Sequence, residues 1–376
     1  MNILLFSWRG PGHPNAGGAE ISTHEHAKGW VSAGHNVTLF TANFKGAKNE
    51  ETLDGINVKR VGSEIFGVQL QAFIWYLFGS HKKFDLVIDQ FHGIPFFTPL
   101  YIRTKKLAFI HEVTKEVWKF NSWPTPFNLL PALFGPLFEP FIFKLIYSRI
   151  PFITVSDSTK QDLTLWGVPP KNITIVHNGI DQPRKKKLPP KEKNKTLIYL
   201  GVLSKDKGIE DAIKVFATVN RAQKGWQFWV VGRSELKYLD YLKKKVKDLG
   251  ISKKVKFWGH VSEKKKYKLL AKAHVLINPS IREGWGLVVI EAAAMGTPTV
   301  AFDVPGLRDS ILNGKTGIID KQHSVNSLAS ELMDLLSNYS RYQRMRVEAV
   351  KWSKKFSWKQ SILESLDFIN KIIEPY

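Results

Sequence analysis

Short unbroken runs of apolar residues recur along this chain, each closed by glycine, proline or a polar turn. Between them lie longer segments whose apolar positions return every three or four residues. In the first half the short runs are Asn2–Trp8, Val37–Thr41, Val58–Gly62, Phe84–Asp89, Leu107–Ile110, Phe152–Ser156 and Ile173–Val176. In the second half they are Thr196–Leu200, Trp226–Val231, Val255–His260, Ala273–Asn278 and Thr299–Phe302. Their length and β-branched content predict strands buried on both faces. The intervening segments, such as Glu20–Ala33 and Phe66–Phe78, predict helices. Strands and helices alternating in this way predict βαβ units, parallel sheets and an α/β protein. Asn313-Gly314 to Ile318 reads as a hairpin-like ending. Amphipathic helices fill the remainder, the last of them Phe356–Ile373.

One stretch concentrates candidate chemistry: PSIREGWGLVVIEAAAMGTPTVAFDVPGLRD, residues 279–309. The strand before it ends at Pro279 and Ser280, Gly284 and Gly286 bracket a tight turn, and a helix starts at Leu287 and closes at Gly296 and Pro298. Backbone N–H groups of Gly286 and Leu287 would point out of the helix N-terminus, where peptide dipoles favour an anion. Glycines let a phosphate come close to the main chain. Glu283 lies in the turn and Glu291 about one and a half turns into the helix. Helical side chains lean toward the N-terminus, so both carboxylates can face one pocket. A phosphate cradle flanked by two hydroxyl-seeking carboxylates suits a sugar nucleotide. An ordinary βαβ unit with surface glutamates is the alternative.

Composition adds a domain division. The chain has 376 residues, enough for two ordinary domains, and a net charge of +22. Residues 1–181 carry 17 Lys/Arg against 14 Asp/Glu, whereas residues 182–376 carry 38 against 19, so the basic excess sits in the second half. Such a surface attracts nucleic acid, anionic lipid or phosphorylated ligands without choosing among them. Runs such as Lys243–Lys245 and Lys264–Lys266 lie on predicted helices and read as solvated faces. No RNA- or DNA-reading motif accompanies the charge, and no nucleic acid partner is expected. The absence of cysteine fits a reducing compartment and excludes thiolate metal sites. Asn2–Phe6 is too short for a signal peptide. Phe127–Tyr147 approaches transmembrane length but is interrupted by Pro131, Gly135, Pro136, Glu139, Pro140 and Lys144. No metal is expected: His24 and His26 lie about 200° apart on their helix, and neither H-E-x-x-H nor a D-x-D in the strand-end segments occurs.

Glu283 and Glu291 stand in an E-x7-E arrangement, EGWGLVVIE, followed by EAAAMGTPTVA. This resembles the signature of the retaining glycosyltransferases of family 4. Other segments resemble that family in order along the chain. They are Gly17-Gly18-Ala19-Glu20 after the first strand, His111 at a strand end, Ser156 to Lys160 as S-x-x-T-K, and Asn178-Gly179-Ile180-Asp181. In the second half they are Lys207-Gly208, the Val255–His260 strand with its turn, and Pro305-Gly306-Leu307-Arg308-Asp309. Where members usually carry G-R-L-x-x-x-K-G, this chain has Val202 at the arginine position. Lys205 or Arg233 could substitute. From the residues alone, His111 is more readily read as structural, Gly17-Gly18 can be a plain turn, and Ser156 or Asp157 can be a helix N-cap.

The resemblance implies the GT-B fold: two Rossmann-like α/β/α domains facing across a central cleft, with the C-terminal helix crossing back to the N-terminal domain. The implied division is 1–181 for the acceptor-side domain, 182–195 for a linker, 196–355 for the nucleotide-sugar domain and 356–376 for the returning helix. It implies transfer of a hexosyl group, with retention, from a nucleotide diphosphate sugar to a hydroxyl of a glycan or lipid-linked glycan. His111, Glu283 and Lys207 are the implied catalytic residues. The implied donor-binding set is Gly17, Gly18, Lys207, Arg233, His260, Glu283, Gly284, Trp285, Gly286, Leu287 and Glu291, with no metal and no other cofactor. A GT-B phosphorylase, an epimerase or a non-catalytic relative are the alternatives. The expected location is cytoplasmic, with peripheral contact at an anionic inner membrane face. Trp118–Tyr147, rich in aromatics and prolines, admits three readings: a cap over the acceptor side, a wedge into a membrane interface, or plain core packing.

Overall fold

The computed structural model describes residues 1–64, 67–121, 123, 125–182 and 190–374. Phe66 and most of the expected linker, residues 183–189, lie outside the described residues. The chain forms two compact units, one of Met1–Gly179 with Trp358–Tyr376 and one of Ile180–Ser357. Ile180 and Gln182, at the start of the second unit, are tied to its end. Ile180 donates its N–H to the Phe356 carbonyl (3.3 Å), and the Gln182 amide donates to the carbonyls of Ser353 and Phe356.

In the first unit, eight strands form one sheet: β1 (Asn2–Ser7), β2 (Asn36–Thr41), β3 (Glu50–Leu53), β4 (Ile56–Arg60), β5 (Leu86–Phe91), β6 (Lys105–Ile110), β7 (Phe152–Thr154) and β8 (Ile173–Ile175). The order is β3-β4-β2-β1-β5-β6-β7-β8, parallel throughout except for β3 against β4. The central strands are the apolar runs read from the sequence; β5 is buried at every position. The β3–β4 hairpin was not anticipated. It turns at Asp54-Gly55, both at positive φ, a pairing that matches the twist of flanking strands.

Helices α1 (Gly18–Ser32), α2 (Gly67–Phe78), α3 (Thr98–Tyr101), α4 (Leu129–Ile142) and α5 (Asp157–Leu165) connect these strands, with a π-helical turn at Phe143–Tyr147 after α4. The C-terminal helix Trp358–Ile373 packs on α1. Ser365 bonds both the His26 ring (2.9 Å) and the Trp30 indole N–H (3.0 Å), and Gly29 leaves space that Ile362 fills.

Plain core packing fails as a reading of α4, although Phe143 and Tyr147 in the turn after it are core residues. On α4 the charged residue, Glu139, is 2% exposed while Leu133, Leu137 and Phe138 are 69%, 57% and 55% exposed, so its amphipathicity is inverted relative to a helix that covers a core. Glu139 accepts from the N–H groups of Thr114 (2.7 Å) and Lys115 (3.1 Å) and from the Trp118 indole (2.8 Å). A buried carboxylate satisfied in this way is an anchor rather than an error in packing.

The second unit is a six-stranded parallel sheet of β9 (Lys195–Leu200), β10 (Trp226–Val231), β11 (Val255–Gly259), β12 (Val275–Asn278), β13 (Thr299–Phe302) and β14 (Gly317–Asp320), in the order β11-β10-β9-β12-β13-β14. Its helices are α6 (Ile209–Ala222), α7 (Leu236–Asp248), α8 (Glu263–Lys272), α9 (Leu287–Ala294), α10 (Leu307–Ser310), α11 (Val325–Ser337) and α12 (Tyr339–Ser353). The expected hairpin at Asn313–Ile318 is instead a turn leading into β14, which pairs parallel to β13.

Candidate active site

The strand order of the second unit reverses direction between β9 and β12: the chain runs outward through β10 and β11, then returns to the other side of β9. In an open parallel sheet, such a switch point leaves a crevice at the carboxyl ends of the two strands. Lys207 follows β9 and Glu283 follows β12, so the sheet itself brings them together. The Lys207 ammonium lies 3.0 Å from the Glu283 carboxylate and donates to the Arg282 carbonyl at 3.3 Å. Ser280 donates to the other Glu283 oxygen (2.8 Å). The Lys207 loop is fastened to this turn by the Ile281 N–H bonding to the Asp206 carbonyl (2.9 Å) and by the buried Tyr199 hydroxyl, which reaches the carbonyls of Val202 and Lys207.

Gly286 is the N-cap of α9 at φ 80°, and the Leu307 side chain packs where a side chain on Gly286 would project. Gly306 approaches the Glu283 carbonyl so closely that an added Cβ would sit 2.3 Å from it. These glycines therefore serve packing of the turn in addition to any approach by a ligand. Trp285 is buried and meets Phe356 edge-to-face at 4.9 Å, which pins the turn from beneath.

Glu291, buried on α9, pairs with Lys266 on α8 at 2.6 Å. Burial pushes its carboxyl up to about 6 against the pull of Lys266, leaving it ionised at neutral pH. Burial alone would lower the Lys266 ammonium, but Glu291 and Glu263 together outweigh it and hold it above its ordinary value. Lys266 was read as part of a solvated run; it is turned inward, and no local pattern separates it from Lys264 and Lys265. Arg233 follows β10, and His260 is exposed beyond β11, on the same carboxyl edge of the sheet. Val202 presents an apolar, partly exposed side chain at the position where the resembling family has arginine.

The first unit has its own switch point, between β1 and β5. Gly17 and Gly18 open α1 in the loop after β1, where the Gly17 N–H donates to Glu20 at 2.5 Å. His111 follows β6. Its ring is buried and stacked on Phe109 at 4.7 Å, and among the described residues neither ring nitrogen has a hydrogen-bond partner. Burial, assisted by His26 and His92, pushes its pKa down to about 3, so the ring is neutral and offers one donor and one acceptor. The S-x-x-T-K segment supports it: Ser156 caps α5 through the Thr159 N–H (3.2 Å), Thr159 donates to the His111 carbonyl (3.1 Å), and Lys160 holds the Ile173 carbonyl (3.1 Å). His24 bonds Asp54 and His26 bonds Ser365, so the two do not converge. Among the described residues no three His, Asp or Glu side chains are grouped as a metal site requires.

Comparison with known proteins identifies the family. Residues 16–184 match the family described as Glycosyltransferase Family 4, and residues 181–352 match Glycosyl transferases group 1. Glycogen synthase of Mycobacterium tuberculosis is 30% identical over 95% of this chain and 92% of its own length. The chain belongs to glycosyltransferase family 4. Sucrose-phosphate synthase from Thermosynechococcus elongatus superposes with a TM-score of 0.80 at 18% identity, over 99% of each chain. Anabaena HepE in complex with UDP and glucose superposes with a TM-score of 0.73 at 17% identity, over 99% of this chain and 100% of that one. The fold of this family 4 member is accordingly GT-B, and its activity is that of a nucleotide-sugar glycosyltransferase.

Proposed function

We propose that this glycosyltransferase moves a hexosyl group with retention from a nucleotide diphosphate sugar to a hydroxyl of a glycan or lipid-linked glycan, without a metal. The observation that carries the reading is the Lys207–Glu283 pair at the N-terminus of α9, with Glu291 buried along the same helix. Glu291 would hold the ribose hydroxyls and Glu283 those of the transferred sugar. As the bond from the anomeric carbon to the diphosphate breaks, the Lys207 ammonium and the N–H groups at Gly286 and Leu287 offset the charge left on the phosphate oxygens. The acceptor oxygen bonds to the anomeric carbon on the same face, and its proton passes to the departing diphosphate. No side chain acts as a covalent nucleophile. The resemblance adds Gly17, Gly18 and His111 from the first unit, and Gly284, Arg233 and His260 from the second. Trp285, buried against Phe356, acts by shaping the turn.

The relationship to a glycogen synthase supports a glycan acceptor. The apolar outer face of α4 supports a lipid-linked form met at an anionic membrane surface. The cysteine-free composition fits work in the cytoplasm.

A panel of UDP-, GDP- and ADP-sugars screened by thermal shift tests the donor class, because a ligand raises the melting point only by binding the folded state. No stabilisation by any of them would defeat the proposal. Undiminished turnover in excess EDTA is the expected result for metal independence.

Glu291 gives a pH test. As a carboxylate it accepts two hydroxyl bonds; protonated, it loses that capacity. With its pKa raised to about 6, kcat/KM for the donor is expected to fall as pH drops through that value. Glu291→Gln should remove this limb and raise the donor KM with a smaller change in kcat. An unchanged KM and an unchanged limb would remove the ribose role.

A further inference from the structure

The inverted helix α4 takes no part in the proposed chemistry, yet it carries a long exposed apolar stripe. Leu133, Phe134, Leu137, Phe138, Phe141 and Leu145 recur at helical spacing on its outer side and on the π turn that follows. Scattered exposed apolar residues need no explanation; a continuous stripe does. We propose that this face is a monotopic membrane anchor, lying flat in the headgroup and acyl boundary of an anionic bilayer.

The chemistry selects lipid over a protein partner. Protein interfaces ring their apolar centres with polar, hydrogen-bonding residues. The stripe itself carries only Leu and Phe, with no group to orient a partner. Its charge lies at the ends of the segment, where Lys119, Lys144 and Arg149 are exposed against one exposed acid, Glu116. A basic border around an apolar centre complements anionic headgroups around acyl chains. Leu129–Tyr147 is long and apolar enough to cross a bilayer, but it is tethered along its inner side. Glu139 holds Thr114, Lys115 and Trp118, and the buried Tyr147 hydroxyl donates to Asp89 at 2.5 Å. Crossing would break all of these bonds, whereas lying flat keeps them.

This inference deepens the membrane contact of the proposed function, and its test is independent of glycosyl transfer. The full chain is cosedimented with vesicles of equal parts phosphatidylcholine and phosphatidylglycerol, without any sugar nucleotide. Wild type is expected to pellet at low salt. The double variant Leu133→Gln/Leu137→Gln is expected to bind roughly 10-fold more weakly or worse, with an unchanged melting temperature and unchanged stabilisation by the nucleotide. Lys119→Ala/Lys144→Ala is expected to lose the salt-sensitive part of binding and keep the rest. The proposal is overturned if wild type stays in the supernatant or if the leucine variant binds as wild type does. A wild-type dimer that the leucine variant converts to monomer would also overturn it, by showing that a second copy covers the stripe. Failure of the glycosyltransferase reading would show instead as vesicle binding without any nucleotide-sugar response.

Discussion

Lys207→Ala is expected to lower kcat by roughly 10²-fold or more, the usual cost of removing one group that stabilises transition-state charge. The ammonium is held at the β9–β12 switch point by Glu283 (3.0 Å) and the Arg282 carbonyl (3.3 Å), so it is positioned before any diphosphate arrives. With Val202 at the family's arginine position, the proposed mechanism assigns this lysine a larger share of the neutralisation. Lys207→Arg is expected to recover only part of the rate, because a planar guanidinium cannot reproduce the compact charge of an ammonium beside Glu283. Steady-state kinetics at saturating donor decide the matter. A wild-type kcat for the alanine variant, with the donor bound normally, would take Lys207 out of the reaction.

The adjacent glycine controls folding rather than chemistry. Gly208→Ala is expected to cost about 3 kcal/mol, from the strain of a side chain in left-handed backbone and from overpacking. Gly208 caps α6 at φ 71° and ψ 20°, and an added Cβ would lie 2.0 Å from the Pro279 carbonyl oxygen. A backbone oxygen cannot swing aside as a side chain can, so the β9 loop and the Pro279 turn would have to separate. For a unit of this size the melting temperature should drop by roughly 10 °C. A variant melting within a degree of wild type would show that the two loops are not closely braced in solution.

What the sequence revealed and what it concealed follow from where information is local. The strands of both sheets were legible because burial on two faces leaves nearly uninterrupted apolar runs, as in β1 and β12. β3 was not: Glu50–Leu53 is an edge strand with alternate residues in water, and its only local mark is the Asp54-Gly55 turn. Asn313-Gly314 carried the same kind of turn signal and led to the wrong partner, since the pairing of β14 with β13 depends on a strand distant in sequence. The Glu283, Glu291 and Lys207 positions could be marked from motif order, but the joining of Lys207 to Glu283 comes from the crossover between β9 and β12. Lys266 could not be singled out, because its inward turn is set by Glu291 on another helix. For α4, composition raised the membrane reading, and only the burial of Glu139 established which side faces out.

The return of the C-terminal helix onto α1 bears on how the chain is made. His26, Trp30 and Gly29 of α1 are covered by residues of the helix Trp358–Ile373, so the first unit waits for that helix to be translated before its surface is complete. The second unit, contained within residues 180–357, can reach its native state earlier. A chain cut before Trp358 should therefore emerge with its first unit prone to aggregation and its second unit still soundly folded.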